Sequence, residues 1–132
     1  MKQTLKLLGA VTLFNITGCQ FNKTPTSSLG VWKKPGADFT EVGKALLECG
    51  MPTPYDVDPE TQKLTPNDMV AIDACMVQSG FHHKSGSNWC YTFKEDNLPN
   101  CRPGVVFPQP SVKRRLNSPY CKKYKNAPEC KP

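Results

Sequence analysis

The segment Asp38–Gly50 reads DFTEVGKALLECG. Asp38 with Glu41 three positions on has the Asp-x-x-Glu form of a capping box. Phe39, Val42, Leu46 and Cys49 follow at steps of three and four, which places them on one helical face. Gly50 suits a left-handed helix stop, and Pro52 and Pro54 prevent continuation. The segment predicts an amphipathic helix over 39–49 that ends on an inward-facing cysteine.

A second segment follows the same grammar. Thr65 can cap, Pro66 fits the first turn and Asp68 complements the positive helix end. Met69, Ile72, Cys75 and Met76 form an apolar face, and Gly80 closes a helix predicted over 66–79. Cys49 and Cys75 thus both fall on buried faces, as a bond between two packed helices requires. Cys49–Cys75 is the preferred first pairing.

The remaining chain is poorly stocked for a large core. Its 132 residues include 13 Pro and 9 Gly, with a hydrophobic share of 38%. Loop-rich chains of this size generally need covalent staples. Seven cysteines are present. Apart from Cys19 they are Cys49, Cys75, Cys90, Cys101, Cys121 and Cys130, an even set that allows about 15 connectivities. Cys90 and Cys101 flank a turn at Asn97–Asn100, and Cys121 and Cys130 can close the tail on itself. The closest two cysteines are nine residues apart, against the Cys-x₂₋₄-Cys spacing of zinc sites, so no metal is expected.

Two short stretches, 88–93 (NWCYTF) and 104–107 (GVVF), are β-prone. Prolines at 99, 103, 108, 110, 119, 128 and 132 exclude long helices and central strands from the tail. The expected fold is a small, disulfide-stabilised, α-rich α+β domain. It has two helices, over 39–49 and 66–79, and a loop-rich, Pro-rich C-terminal half with short β segments. Trp32, in the turn sequence VWKKPG, is expected to pack on the first helix. Asp56, Asp58 and Glu60 alternate as calcium ligands can, but the loop lacks an EF-hand's central glycine and final glutamate and reads as a solvated acidic loop.

The amino terminus is laid out as an export signal. Lys2 and Lys6 precede a short apolar centre, Leu7 to Phe14, too short for the roughly 20 residues of a membrane span. Ile16-Thr17-Gly18-Cys19 then resembles the lipobox of bacterial lipoproteins. That resemblance implies a signal peptide over 1–18, cleavage before Cys19 and acylation of its thiol and new amino group. More than one chain is needed for a firm anchor. Gln20, where a retention signal would have Asp, implies the outer membrane of a Gram-negative envelope. Trp32-x-Lys-Pro-Gly, Cys49-Gly50, Cys75-Met76 and Gly80-Phe81 are similar to signposts of small Gram-negative envelope lipoproteins. The expected organisation is a signal over 1–18, an acylated cysteine and flexible tether over 19–31, and one stapled domain over 32–132.

No catalytic machinery is legible. His82 and His83 are adjacent and read as a surface turn, the cysteines are committed to disulfides, and no phosphate-cradling loop is present. No cofactor and no enzymatic activity are expected. Charge is more informative. Residues 20–81 carry five Lys against eight acids, whereas 82–132 carry ten Lys or Arg against three. Lys113, Arg114, Arg115, Lys122, Lys123 and Lys125 are the candidate anion contacts. Tyr120 and Tyr124 either stack on bases or sugars or pack across the Cys121–Cys130 loop. The expected function is a membrane-anchored binding module for an anionic envelope polymer or a partner protein, without specific nucleic-acid recognition. The alternative is an inhibitor or immunity factor against an envelope-attacking enzyme, entering a cleft with residues 82–88 (HHKSGSN).

Overall fold

A computed structural model describes residues 28–55, 58–86 and 88–132. The signal segment, Cys19 and most of the expected tether lie outside these residues, as do Asp56 and Ser87. Helix α1 (Ser28–Val31) leads into β1 (Trp32–Lys33), then α2 (Phe39–Glu48), α3 (Pro59–Gln62), α4 (Pro66–Gln78) and β2 (His82–His83). The C-terminal half contributes α5 (Trp89–Thr92), α6 (Val112–Leu116) and α7 (Pro119–Lys123), with 3₁₀ turns at Lys94–Asp96, Pro99–Cys101 and Pro128–Cys130. The described chain is helix-rich, with one small antiparallel ribbon that pairs Trp32 with His83 and Lys33 with His82.

Local chemistry explains both main helices. The Asp38 carboxylate accepts from the Glu41 N–H at 2.9 Å, one half of the expected capping box. At α4 both halves form: Asp68 N–H donates to Thr65 Oγ1 at 3.2 Å, and Thr65 N–H donates to Asp68 Oδ2 at 3.0 Å. Each helix then stops in a Schellman turn. Met51 N–H returns to Leu46 O at 2.9 Å and Phe81 N–H to Met76 O at 3.1 Å. Gly50 (φ 111°) and Gly80 (φ 91°) take the left-handed position that a side chain would strain. Each turn returns the residue after its glycine, Met51 or Phe81, to the core.

Helix α2 is sandwiched. One face packs Val42, Leu46 and Cys49 with Trp32, Met51, Ile72, Cys75, Met76 and Phe81. Leu47, wholly buried, faces a second cluster with Cys121 and Cys130, flanked by Tyr120 and Ala127. Gly43 permits the close approach of the tail, since a Cβ there would lie 3.0 Å from Glu129 Cγ. Three disulfides close the fold: Cys49–Cys75, Cys90–Cys101 and Cys121–Cys130. By loop length alone they contribute about 3.5, 2.8 and 2.6 kcal/mol respectively.

Four expectations are corrected. Residues 28–31 are a helical turn whose Leu29 and Val31 pack on the core, so the folded part starts before Trp32. The stretch 88–93 is helical: Asn88 caps it by accepting from Tyr91 N–H at 3.2 Å, and Trp89 and Phe93 stack one turn apart. The stretch 104–107 has no strand partner among the described residues, and Val106 is 91% exposed. Phe39 is 70% exposed, because the first helical position lies on a cleft rim and not beneath another element.

Candidate functional site

The six basic side chains expected to meet an anion fall into two groups. Arg115 is a correction: it is 3% exposed and its guanidinium is already engaged. Its Nε donates to Glu48 Oε2 at 2.9 Å, and its Nη1 donates to the carbonyls of Glu129 and Lys131 at 2.7 Å each. Arg114, half-buried, donates from Nη1 to Glu48 O at 2.7 Å. Arg114 therefore serves a carbonyl at the C-terminal end of α2, where unpaired carbonyls and the helix dipole favour cations, and Arg115 ties the Glu48 side chain to the tail backbone. The planar fork of Arg can serve several acceptors at once, which a lysine cannot.

Lys113, Lys122, Lys123 and Lys125 are exposed. Among the described residues no carboxylate stands within ion-pairing distance of any of them. Lys123 lies over the Tyr124 ring at 5.4 Å. Lys113 lies on α6, whereas Lys122, Lys123 and Lys125 lie on or just after α7, which is capped by Ser118 accepting from Cys121 N–H at 3.2 Å and closed by Cys121–Cys130. Tyr120 N–H donates to Pro52 O at 3.1 Å, tying the tail to the turn after α2. The Tyr120 ring packs against Tyr55 and Tyr124 beside the Leu47 cluster. Burial, with the Glu129 carboxylate adding, pushes its phenol up to about 12. Of the two roles expected for Tyr120, packing is the one it fills.

Residues of the ribbon line two clefts, with Trp32 common to both. One, of about 550 Å³, is lined by Asp73, Val77, His82, His83 and Phe107 around the Trp32 edge. Burial raises the Asp73 carboxyl to about 6, while a hydrogen bond from the Trp89 side chain pulls the other way. His83 sits edge-on to Trp32, with ring centroids 5.1 Å apart, and its Nδ1 accepts from Ser85 N–H at 3.2 Å. Lys84 N–H donates to Val31 O at 2.8 Å. Within the 82–88 stretch, His82 and His83 thus form the second strand of the ribbon, and Lys84, Ser85 and Gly86 beyond it are exposed. The second cleft, about 470 Å³, is lined by Leu29, Lys33, Lys34, Asp38, Phe39 and Lys84 among others.

The acidic loop is engaged internally as far as it is described. Asp58 caps α3 by accepting from Glu60 N–H at 3.0 Å, and Glu60 pairs with Lys63 at 3.0 Å. Among the described residues no three His, Cys, Asp or Glu side chains are grouped to hold a metal, and no helix is long and apolar enough to cross a membrane. Comparison with protein-family models, with curated proteins and with solved structures gives no match.

Proposed function

We propose that the chain is a lipid-anchored envelope lipoprotein whose stapled domain binds an anionic envelope polymer through Lys113, Lys122, Lys123 and Lys125. The observation that carries the binding half is the division within the basic tail. Arg114 and Arg115 are spent on internal carbonyls and Glu48, whereas these four ammoniums are exposed with no carboxylate in reach among the described residues. The anchoring half rests on the lipobox at Ile16–Cys19. It is supported by the six other cysteines being bonded to one another, which leaves none of them for Cys19.

The mechanism is charge matching. Ammoniums on a preordered, disulfide-closed surface release counterions from a phosphate- or carboxylate-rich polymer, so affinity falls steeply with salt. Binding of the purified protein to lipopolysaccharide and to dextran sulfate, titrated against sodium chloride, tests the reading. Replacing all four lysines by alanine should weaken both complexes by at least about tenfold and flatten their salt dependence. Undiminished binding by that variant overturns it. Intact mass of protein extracted from membranes tests the anchor separately: the mature chain should begin at Cys19 and carry acyl chains.

A further inference from the structure

The cleft between α1, β1 and the start of α2 has a composition that the polymer-binding reading does not use. Its floor is Trp32 and Val42, and its rim carries the exposed Phe39 and the partly covered Leu29. Lys33, Lys34 and Lys84 line the same opening. Asp38 is the one acid among the described residues that line it, and its carboxylate is occupied as the α2 cap. Lys34 is held in place, donating to Ser79 O at 3.1 Å with its Nζ 5.3 Å from the Phe81 ring centre. An exposed aromatic that shares a cleft with the exposed Lys33 and Lys84 has the chemistry of a surface that seats at a lipid headgroup layer.

The position of this patch singles out its occupant. The first described residue, Ser28, begins α1, and Leu29 of that helix lines the cleft. Only nine residue steps separate Ser28 from Cys19. Even fully stretched, they span no more than about 30 Å. That is close to the width of a folded domain of this size, whose radius of gyration is about 13 Å. An anchor at Cys19 therefore keeps this end of the domain within about one domain width of the bilayer.

We infer that the Leu29–Lys33–Phe39–Lys84 face docks on the anionic phospholipid headgroups of the membrane in which Cys19 is anchored. Phe39 enters the interfacial layer and the lysines neutralise phosphate. The inference rests on the anchor reading above, and the test separates the two. Acylated protein is reconstituted in vesicles of phosphatidylethanolamine and phosphatidylglycerol, or in vesicles of phosphatidylcholine alone. It is then pulsed with a membrane-impermeant amine-acetylating reagent, and each lysine is read by mass spectrometry.

Lys33 and Lys84 should react about threefold or more slowly on the anionic vesicles than on the neutral ones, with protection lost in high salt. Lys63, exposed and on the α3 side of the domain, should react equally on both. Phe39→Ser alters an exposed residue, so the fold is kept, and it should reduce the protection of Lys33 and Lys84. Equal reactivity of Lys33 and Lys84 on both vesicles, in protein whose mass shows the acyl chains, overturns the docking face and leaves the anchor standing. Protection of Lys113, Lys122, Lys123 and Lys125 in their place also overturns it. An unmodified Cys19 in the same spectra refutes the anchor and the docking with it.

Discussion

Arg115→Ala is the substitution that best tests how the tail is held. The side chain is 3% exposed and makes three donor contacts, one to Glu48 and two to the carbonyls of Glu129 and Lys131. Truncation leaves the Glu48 carboxylate without its cation. At 22% side-chain exposure that carboxylate recovers part of its hydration, which moderates the cost. The two carbonyls lose donors in a site closed by Gly43 and the Cys121–Cys130 loop, and each such loss costs about 1–3 kcal/mol. Breaking a buried pair by removing one member costs about 3–5 kcal/mol. Weighing the partial exposure of Glu48, the expected destabilisation is about 3 kcal/mol, a large share of the roughly 5–15 kcal/mol available to a small domain. It corresponds to a fall in Tm of about 12–24 °C. Urea unfolding followed by tryptophan fluorescence, with disulfides intact, gives the value directly. Arg115→Lys should recover part of it, since one ammonium cannot reach all three acceptors. Lys113→Ala should stay within about 0.5 kcal/mol of the parent. A cost below about 1 kcal/mol for Arg115→Ala, or lost polyanion binding at unchanged stability, would refute the structural role.

Asp73 sets a pH dependence. Its folded-state pKa of about 6 lies above the ordinary 3.8, so the native state holds the proton more tightly than the unfolded chain. Its contribution is therefore most favourable below about pH 4 and is lost as pH rises toward 6. Discounting for partial exposure, Asp73→Asn should raise stability at pH 8 by about 1–2 kcal/mol and remove that decline, as read by urea titrations at several pH values. The Cys49→Ala/Cys75→Ala pair should cost about 3.5 kcal/mol or more, exceeding the roughly 2.6 kcal/mol of Cys121→Ala/Cys130→Ala, because its loop is longer and its sulfurs lie in the main core. Alkaline difference spectra near the phenolate band should show one tyrosine ionising near pH 12, and Tyr120→Phe should delete that step.

What was legible in the sequence was local. A cap and a helix stop each involve residues within about six positions, and the periodicity between them fixes the buried face. That is why the ends of α2 and α4 lie within one residue of their expected places. Where the reading failed, a β-prone composition outweighed a positional signal. Trp89 and Phe93 are four apart behind a capping Asn88, which favours a helical turn, and the Cys90–Cys101 loop holds it. The stretch 104–107 is hydrophobic enough for a strand but finds no partner among the described residues, and an unpaired segment is not a ladder. Phe39 kept the angular position its spacing assigned and still became exposed. Periodicity gives direction around a helix, not whether another element lies there.

The basic tail shows the same limit in functional terms. Read along the chain, Lys113, Arg114 and Arg115 are one cluster; in space their heads have different tasks because Glu48 lies 67 positions from Arg115 and beside it. No local pattern encodes that meeting. Composition offered a partial guide, since guanidinium suits several fixed acceptors whereas an ammonium is strongly hydrated and stays outside at less cost. The consequence bears on specificity. With Arg114 and Arg115 engaged within the fold, the exposed cations left in the 113–125 cluster are ammoniums on flexible stems, and none of these four can form a bidentate fork with a phosphate or carboxylate. Recognition by this surface follows anion density more than anion shape, so polymers matched in charge spacing should compete with one another whatever their backbone chemistry.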